Sequence, residues 1–353
     1  MKKLLIFCLA LGFVFAISGT VAFGGGKIKH GVPEYEVTEI ENLAYGPYLP
    51  GNLLDLYLPD VPGGAELPLI IWNSGSAFFS NTAKDDPGAV AIAEEFTARG
   101  YAVATISVRS SFDARFPALG HDVRAAVRWL RKNAAEYGID PNRFAFMGNS
   151  SGGWAAAFAA TTSDIMELPG EEVVDGTSSA VQVAVPFFPP TDFLSMDQFA
   201  ADNGLPNTSF AYPHDSPTSP EGFLIACPGE VFPTTLLSIQ ECPEETEEAD
   251  PSSYIEGAEI PMWVLHGLAD ILLPYNQSKL VYDTTTAEGN EARFTLVPSA
   301  GHDVNTIIDA EAATTWTTNR GGHETVVEGA GPSWDDIEQF LHVNLSRARG
   351  NGR

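Results

Sequence analysis

Along most of the chain, brief apolar runs bounded by Gly, Pro, Asn or Asp alternate with longer stretches whose apolar residues recur at helical spacing. That alternation predicts an α/β architecture, a mostly parallel central sheet flanked by helices, because parallel strands need crossover segments that then cover both sheet faces. Strands are expected at 52–58, 67–72, 101–107, 143–147, 181–187, 262–266 and 293–297, each short, rich in β-branched or aromatic residues and bounded by turn formers. Between them, residues 120–137 carry Val123, Ala126, Val127, Leu130 and Ala134 on one helical face with Arg and Lys opposite, and Gly138 supplies the stop. The small apolar stretch 154–161 predicts a helix packed inside the layers, and 334–345 a closing helix.

Two segments break this rhythm. The first residues pair Lys2 and Lys3 with an apolar run from Leu4 to Ile17 and end in small residues at Thr20-Val21-Ala22. This is the pattern of a signal peptide over residues 1–22, too short to span a bilayer, with an uncleaved anchor as the alternative. The remainder, 23–353, reads as one catalytic-type domain. From about 196 to 250 the chain is rich in Pro, Ser, Thr and Glu without a sustained period, and is expected to be an irregular, lid-like insertion. A plain surface loop is the other reading, since loops tolerate insertions easily.

Composition narrows the partners. Hydrophobic residues make up 44% of the chain, as expected for a folded protein with a sizeable core. Acidic residues outnumber basic ones 46 to 19, for a formal charge of −27, so the surface should repel phosphate backbones and anionic lipid. Nucleic acid is excluded as a natural partner, and no stable membrane insertion is expected after signal cleavage. Cys8 departs with the leader, leaving Cys227 and Cys242, an even pair that in a secreted or periplasmic protein predicts a disulfide; free thiols are the alternative.

The chemistry is concentrated in Gly148-Asn149-Ser150-Ser151-Gly152, a G-x-S-x-G sequence between a predicted strand and a predicted small-residue helix. In that setting the glycines permit a sharp turn that lifts the serine above the sheet edge. Its hydroxyl needs a histidine to take its proton, and the histidine a carboxylate to fix its tautomer. Asp270, in His-Gly-Leu-Ala-Asp, and His302, in Ala-Gly-His-Asp, each follow a predicted strand, at the sheet edge where α/β folds gather their sites. Of the other histidines, His30 lies near the mature N-terminus, His121 at a helix start, His214 in the insertion, His266 at a strand end and His342 on the last helix. His323, after Gly321-Gly322, is the rival base, and Asp192, in Pro-Pro-Thr-Asp, the rival acid, although such a position suits a turn-stabilising Asp.

These motifs, with the run from Pro68 to Phe78 and the segment Phe116-Pro-Ala…Asp122-Val-Arg-Ala-Ala-Val-Arg-Trp-Leu-Arg, resemble the carboxylesterase, feruloyl esterase and acetylxylan esterase group of α/β-hydrolases. Hormone-sensitive-lipase-like esterases are similar in pattern. The resemblance covers about residues 34–345 apart from the insertion, and implies the α/β-hydrolase fold, a triad of Ser150, Asp270 and His302, and hydrolysis of small-molecule or polysaccharide-linked esters. Where that group carries His-Gly-Gly-Gly-Trp, this chain has Ser74-Gly75-Ser76-Ala77-Phe78, so backbone N–H groups of Ser76, Ala77 and Ser151 are the expected oxyanion donors. Arg109 and Asp122 are expected to form a structural ion pair linking strand to helix. No residues have metal-ligand spacing and no cofactor is implied. An oligopeptidase-like serine peptidase and a non-catalytic hydrolase-like binding protein are the competing functions.

Overall fold

Ten strands form one sheet in the computed structural model, which describes residues 35–351 apart from 164, 173–174, 207–212 and 257–259. The expected leader, 1–22, and His30 lie outside the described residues. The strands are β1 (Val37–Ala44), β2 (Leu53–Pro59), β3 (Leu67–Asn73), β4 (Ala102–Ile106), β5 (Ile139–Asn149), β6 (Val183–Phe187), β7 (Met262–Gly267), β8 (Ala292–Val297), β9 (Ala313–Thr318) and β10 (Glu324–Gly329). Their order across the sheet is β1-β2-β4-β3-β5-β6-β7-β8-β9-β10. The six strands from β4 to β8 run parallel, and antiparallel pairs close both edges.

Helices α1 (Pro87–Thr97), α2 (Ala118–Asn133), α3 (Ser151–Thr161), α7 (Asn276–Ala287) and α9 (Trp334–Asn351) cover the sheet; shorter pieces α4 (Met196–Asp202), α5 (Pro220–Leu224), α6 (Pro243–Glu247) and α8 (Val304–Ile307) lie in the connections. Because strand side chains alternate, the sheet divides the core in two. Leu69 and Ile71 of β3 pack toward α2, α3 and α7, whereas Ile70 and Trp72 join Phe96 of α1 and Ile337, Phe340 and Leu341 of α9. All seven expected strands are present with ends displaced by a few residues. Three more, β1, β9 and β10, extend the edges.

The basic face of α2 departs from the expected pattern of charge opposite an apolar stripe facing the core. Arg124 and Arg128 are themselves buried, and both grip the buried Glu171 carboxylate. Their remaining N–H groups donate to the carbonyls of Thr162, Ile165, Met166 and Thr177, so the cations fasten the segment after α3 onto the helix. Multiple donors in a planar fork suit Arg to this task. Arg109 and Asp122 form the expected pair, with Arg109 Nε and Nη2 reaching the two carboxylate oxygens at 2.9 and 2.8 Å.

The described residues between 196 and 250 fold as short helices and turns, and Cys227 and Cys242 are disulfide-bonded across 15 positions. A loop of this length should contribute about 3 kcal/mol by restricting the unfolded chain. Urea unfolding of the Cys227→Ser, Cys242→Ser variant should therefore show a loss of about 2–3 kcal/mol. An unchanged midpoint and slope would contradict that role.

Candidate active site

Ser150 occupies the single-residue turn between β5 and α3, at φ 55° and ψ −125°. A non-glycine residue held there costs on the order of 1–3 kcal/mol, so the surroundings must impose it. Ser150 N–H donates to Phe187 O of β6 at 3.0 Å, and its carbonyl accepts from Trp154 N–H at 2.9 Å. The flanking glycines are required by close backbone approach. A Cβ on Gly152 would lie 1.9 Å from Asn73 O, and one on Gly148 would lie 2.3 Å from Gly152 O.

The structure brings the three expected side chains together at the C-terminal edge of the sheet. His302, beyond β8, has Nε2 at 2.9 Å from Ser150 Oγ and Nδ1 at 2.7 Å from Asp270 Oδ2, with Asp270 following β7. A carboxylate can only accept, so Nδ1 carries the proton and Nε2 of the neutral ring is the acceptor for the serine hydroxyl. Asp270 Oδ1 accepts from Leu272 N–H at 2.8 Å and Leu273 N–H at 3.0 Å. Burial alone would raise its pKa, but attraction to His302 in its protonated form and the hydrogen bonds from His266 and His302 hold it well below the usual carboxylate range.

His266 was assigned no role from sequence, yet it stands directly behind the acid. Its Nε2 is 3.1 Å from Leu273 O and 3.4 Å from Asp270 Oδ2, while Nδ1 faces Ser278 Oγ at 2.7 Å. Two acceptors around Nε2 place the proton there and leave Nδ1 to accept from the Ser278 hydroxyl. The available signal was position, since His266 ends a strand four residues before Asp270. The rivals do not approach the serine. His323 sits exposed in the β9–β10 hairpin, where its N–H donates to Asn319 Oδ1, and Asp192 Oδ1 accepts from Ser195 N–H within a turn.

The loop after β3 is braced by the two variable residues of the serine motif. Asn149 Oδ1 accepts from Gly75 N–H at 3.1 Å, and Ser151 Oγ accepts from Ser76 N–H at 2.8 Å. The expected assignment of Ser76 as an oxyanion donor is therefore corrected, because its N–H is already engaged. Ala77 and Phe78 take positive φ values of 52° and 65°, turning the chain over the serine. The Phe78 ring packs edge-on to Trp154, 5.5 Å between centroids, and holds the loop down. Among the described residues the N–H groups of Ala77 and of Ser151, the first residue of α3, have no protein acceptor.

A cleft of about 30 Å³ opens over Ser150 and His302, with Ala77 and Phe78 on one side and Leu272 and Leu273 on the other. His214, Pro220 and Glu221, all from the insertion, complete its wall. A larger cavity of about 210 Å³, lined by Tyr48, Arg109, His121 and Glu172 among others, contains none of the three clustered residues. Ser150 and His302, with their proton-transfer geometry, open onto the smaller cleft.

Residues 54–284 match the BD-FAE family model, and residues 252–329 match that of secretory lipases. Esterase LipQ of Mycobacterium tuberculosis is 30% identical over 243 residues, 68% of this chain and 51% of LipQ. The probable carboxylic ester hydrolase LipM of the same organism is 26% identical over 78% of this chain and 58% of its own length. A truncated carbohydrate esterase from gut microbiota superposes with a TM-score of 0.61 at 30% identity, covering 76% of this chain and 90% of that one. The chain belongs to the BD-FAE family of α/β-hydrolases, and spans little more than half the length of the curated relatives it matches.

The packing at Gly152 yields a stability test. Gly152→Ala should lower stability by more than about 3 kcal/mol, since its methyl group would collide with backbone that cannot rotate away. Gly301→Ala, whose Cβ would come no nearer than 3.8 Å to Ala269 O, should stay within about 1 kcal/mol of the parent. Thermal unfolding of both variants checks the contrast.

Proposed function

We propose that this chain is an exported serine esterase that cleaves carboxylic esters with short acyl groups, with Ser150 as nucleophile, His302 as general base and acid, and Asp270 as the orienting carboxylate. The observation that carries it is the continuous relay from Ser150 Oγ through His302 to Asp270, at 2.9 and 2.7 Å. In the first displacement His302 Nε2 takes the serine proton as Oγ attacks the ester carbonyl, and Asp270 stabilises the imidazolium. The N–H groups of Ala77 and Ser151 receive the charge that develops on the carbonyl oxygen. The protonated His302 then hands its proton to the departing alkoxide, leaving acyl-Ser150. Water, deprotonated by the same histidine, completes the second displacement and frees the acid.

The apolar side chains of Ala77, Phe78, Leu272 and Leu273 beside Ser150 favour a small acyl group such as acetyl. Carbohydrate esters are the favoured substrate class, in keeping with the carbohydrate esterase of similar fold and 30% identity. Export is supported by the leader-like first 22 residues and by the Cys227–Cys242 bond, a feature of oxidising compartments.

Ser150→Ala should retain its circular dichroism spectrum and lose roughly four to six orders of magnitude in kcat on p-nitrophenyl acetate. Residual turnover within tenfold of the parent would remove Ser150 from the mechanism. The pH dependence follows from the relay. Activity should rise as the base histidine loses its proton, because an imidazolium cannot accept from serine. Asp270, held below the usual range, stays ionised throughout, so the profile should show no second step near about pH 4. A rate set by a group titrating there would contradict the assigned roles.

A further inference from the structure

The insertion returns two ionisable side chains to the wall of the cleft. His214 is fully buried, with Nδ1 at 3.0 Å from Glu221 Oε2 and Nε2 at 3.1 Å from Leu272 O. Both neighbours are acceptors, so the ring is arranged to carry a proton on each nitrogen. Burial opposes that charge, but the facing carboxylate of Glu221, with Asp197 and the Leu272 carbonyl, outweighs it and holds the His214 pKa above its ordinary value. The result is a charge-neutral imidazolium–carboxylate pair beside the reacting groups.

Glu221 has little freedom to leave this position. It occupies the second residue of α5, whose start is capped by Ser219 Oγ accepting from Gly222 N–H at 2.9 Å. The Ser219 hydroxyl in turn donates to His214 O at 2.7 Å. A Cβ on Gly222 would lie 2.3 Å from Ser216 O, so the helix is pressed against the preceding turn. Oε2 is committed to His214, whereas among the described residues no protein donor reaches Oε1. Yet the residue is only 2% exposed and lines the same cleft as Ser150 and His302.

A carboxylate oxygen with no protein donor, on a residue that lines the cleft, keeps its acceptor capacity for a group that enters there. A short acyl group has no hydrogen to donate. We propose that Glu221 Oε1 accepts a hydrogen bond from a free hydroxyl on the alcohol portion of the substrate, making Glu221 the residue that selects esters of polyhydroxylated alcohols. Since His214 already neutralises the carboxylate, the complementary donor is a neutral hydroxyl rather than an ammonium group. This inference rests on the esterase reading above and goes on to name the alcohol.

The test compares two acetates that differ only in whether the alcohol can donate hydrogen bonds: a monoacetylated methyl glycoside with its other hydroxyls free, and the same compound with those hydroxyls O-methylated. The parent enzyme should favour the free form in kcat/KM by about 10- to 100-fold, the range for a hydrogen bond to a charged acceptor. Glu221→Ala should bring the ratio to within about twofold of one, and Glu221→Gln, which preserves shape, should give an intermediate ratio. A parent ratio near one overturns the proposal without need of any variant, as does a preference that survives in Glu221→Ala or stays undiminished in Glu221→Gln. If the parent hydrolyses p-nitrophenyl acetate but shows no hydroxyl preference, the assignment of Glu221 fails and the esterase reading stands. If it hydrolyses none of the three acetates, both fail.

Discussion

The close contact between Gly152 and the carbonyl of Asn73 governs the geometry of the site. Strands β3 and β5 are adjacent and in register, with Asn73 opposite Gly148, so the loop leaving β3 and the turn leaving β5 emerge side by side. The absence of side chains at Gly148 and Gly152 lets α3 begin almost on top of Asn73. This proximity forces Ser150 into its positive φ and lets Asn149 and Ser151 reach across to brace the neighbouring loop. The strain at one residue is offset by an all-buried helix, from Trp154 to Thr161, whose small side chains fit between the sheet and α2.

A second constraint lies in the turn formed by Leu272 and Leu273. Their N–H groups donate to Asp270 Oδ1, while their carbonyls accept from His214 and His266. One dipeptide therefore fixes the acid, the histidine behind it and the insertion's charged pair. Each peptide unit offers donor and acceptor in opposite directions, which is how a short turn can serve a carboxylate on one side and two imidazoles on the other. The geometry also accounts for Asp270 remaining ionised although buried, because its oxygens meet two backbone donors and two histidine rings.

Legibility in the sequence followed burial. The seven strands expected from apolar runs lie within the sheet, where both faces are covered. By contrast β10, Glu-Thr-Val-Val-Glu-Gly, is exposed at every position, and β1 is exposed at six of eight, so neither bears a hydrophobic signature. The sheet extends over them through backbone pairing, which leaves little trace in residue type. Ser150, Asp270 and His302 could be located because each follows a readable strand. Ser76 misled because an N–H donor looks the same in sequence whether free or bonded, and Ser151 Oγ decided the matter across 75 positions. The buried Arg124 and Arg128 likewise read as a solvated face, since the segment that covers them has no periodicity of its own.

Those buried cations bear on the surface field. The formal charge of −27 averages over the molecule, but Arg124 and Arg128 are enclosed with Glu171, and Arg109 and Arg115 are largely covered while paired to Asp122 and Glu230. Part of the positive charge is thus withdrawn from the solvent boundary, while acidic residues such as Glu244, Glu247 and Glu248 of the insertion stand exposed. The field at the surface is correspondingly anionic. A neutral ester entering the cleft meets no long-range barrier, whereas the carboxylate released by hydrolysis is repelled as it leaves. On the proposed reaction, this charge discriminates between substrate and acid product without requiring any charged group to touch either one.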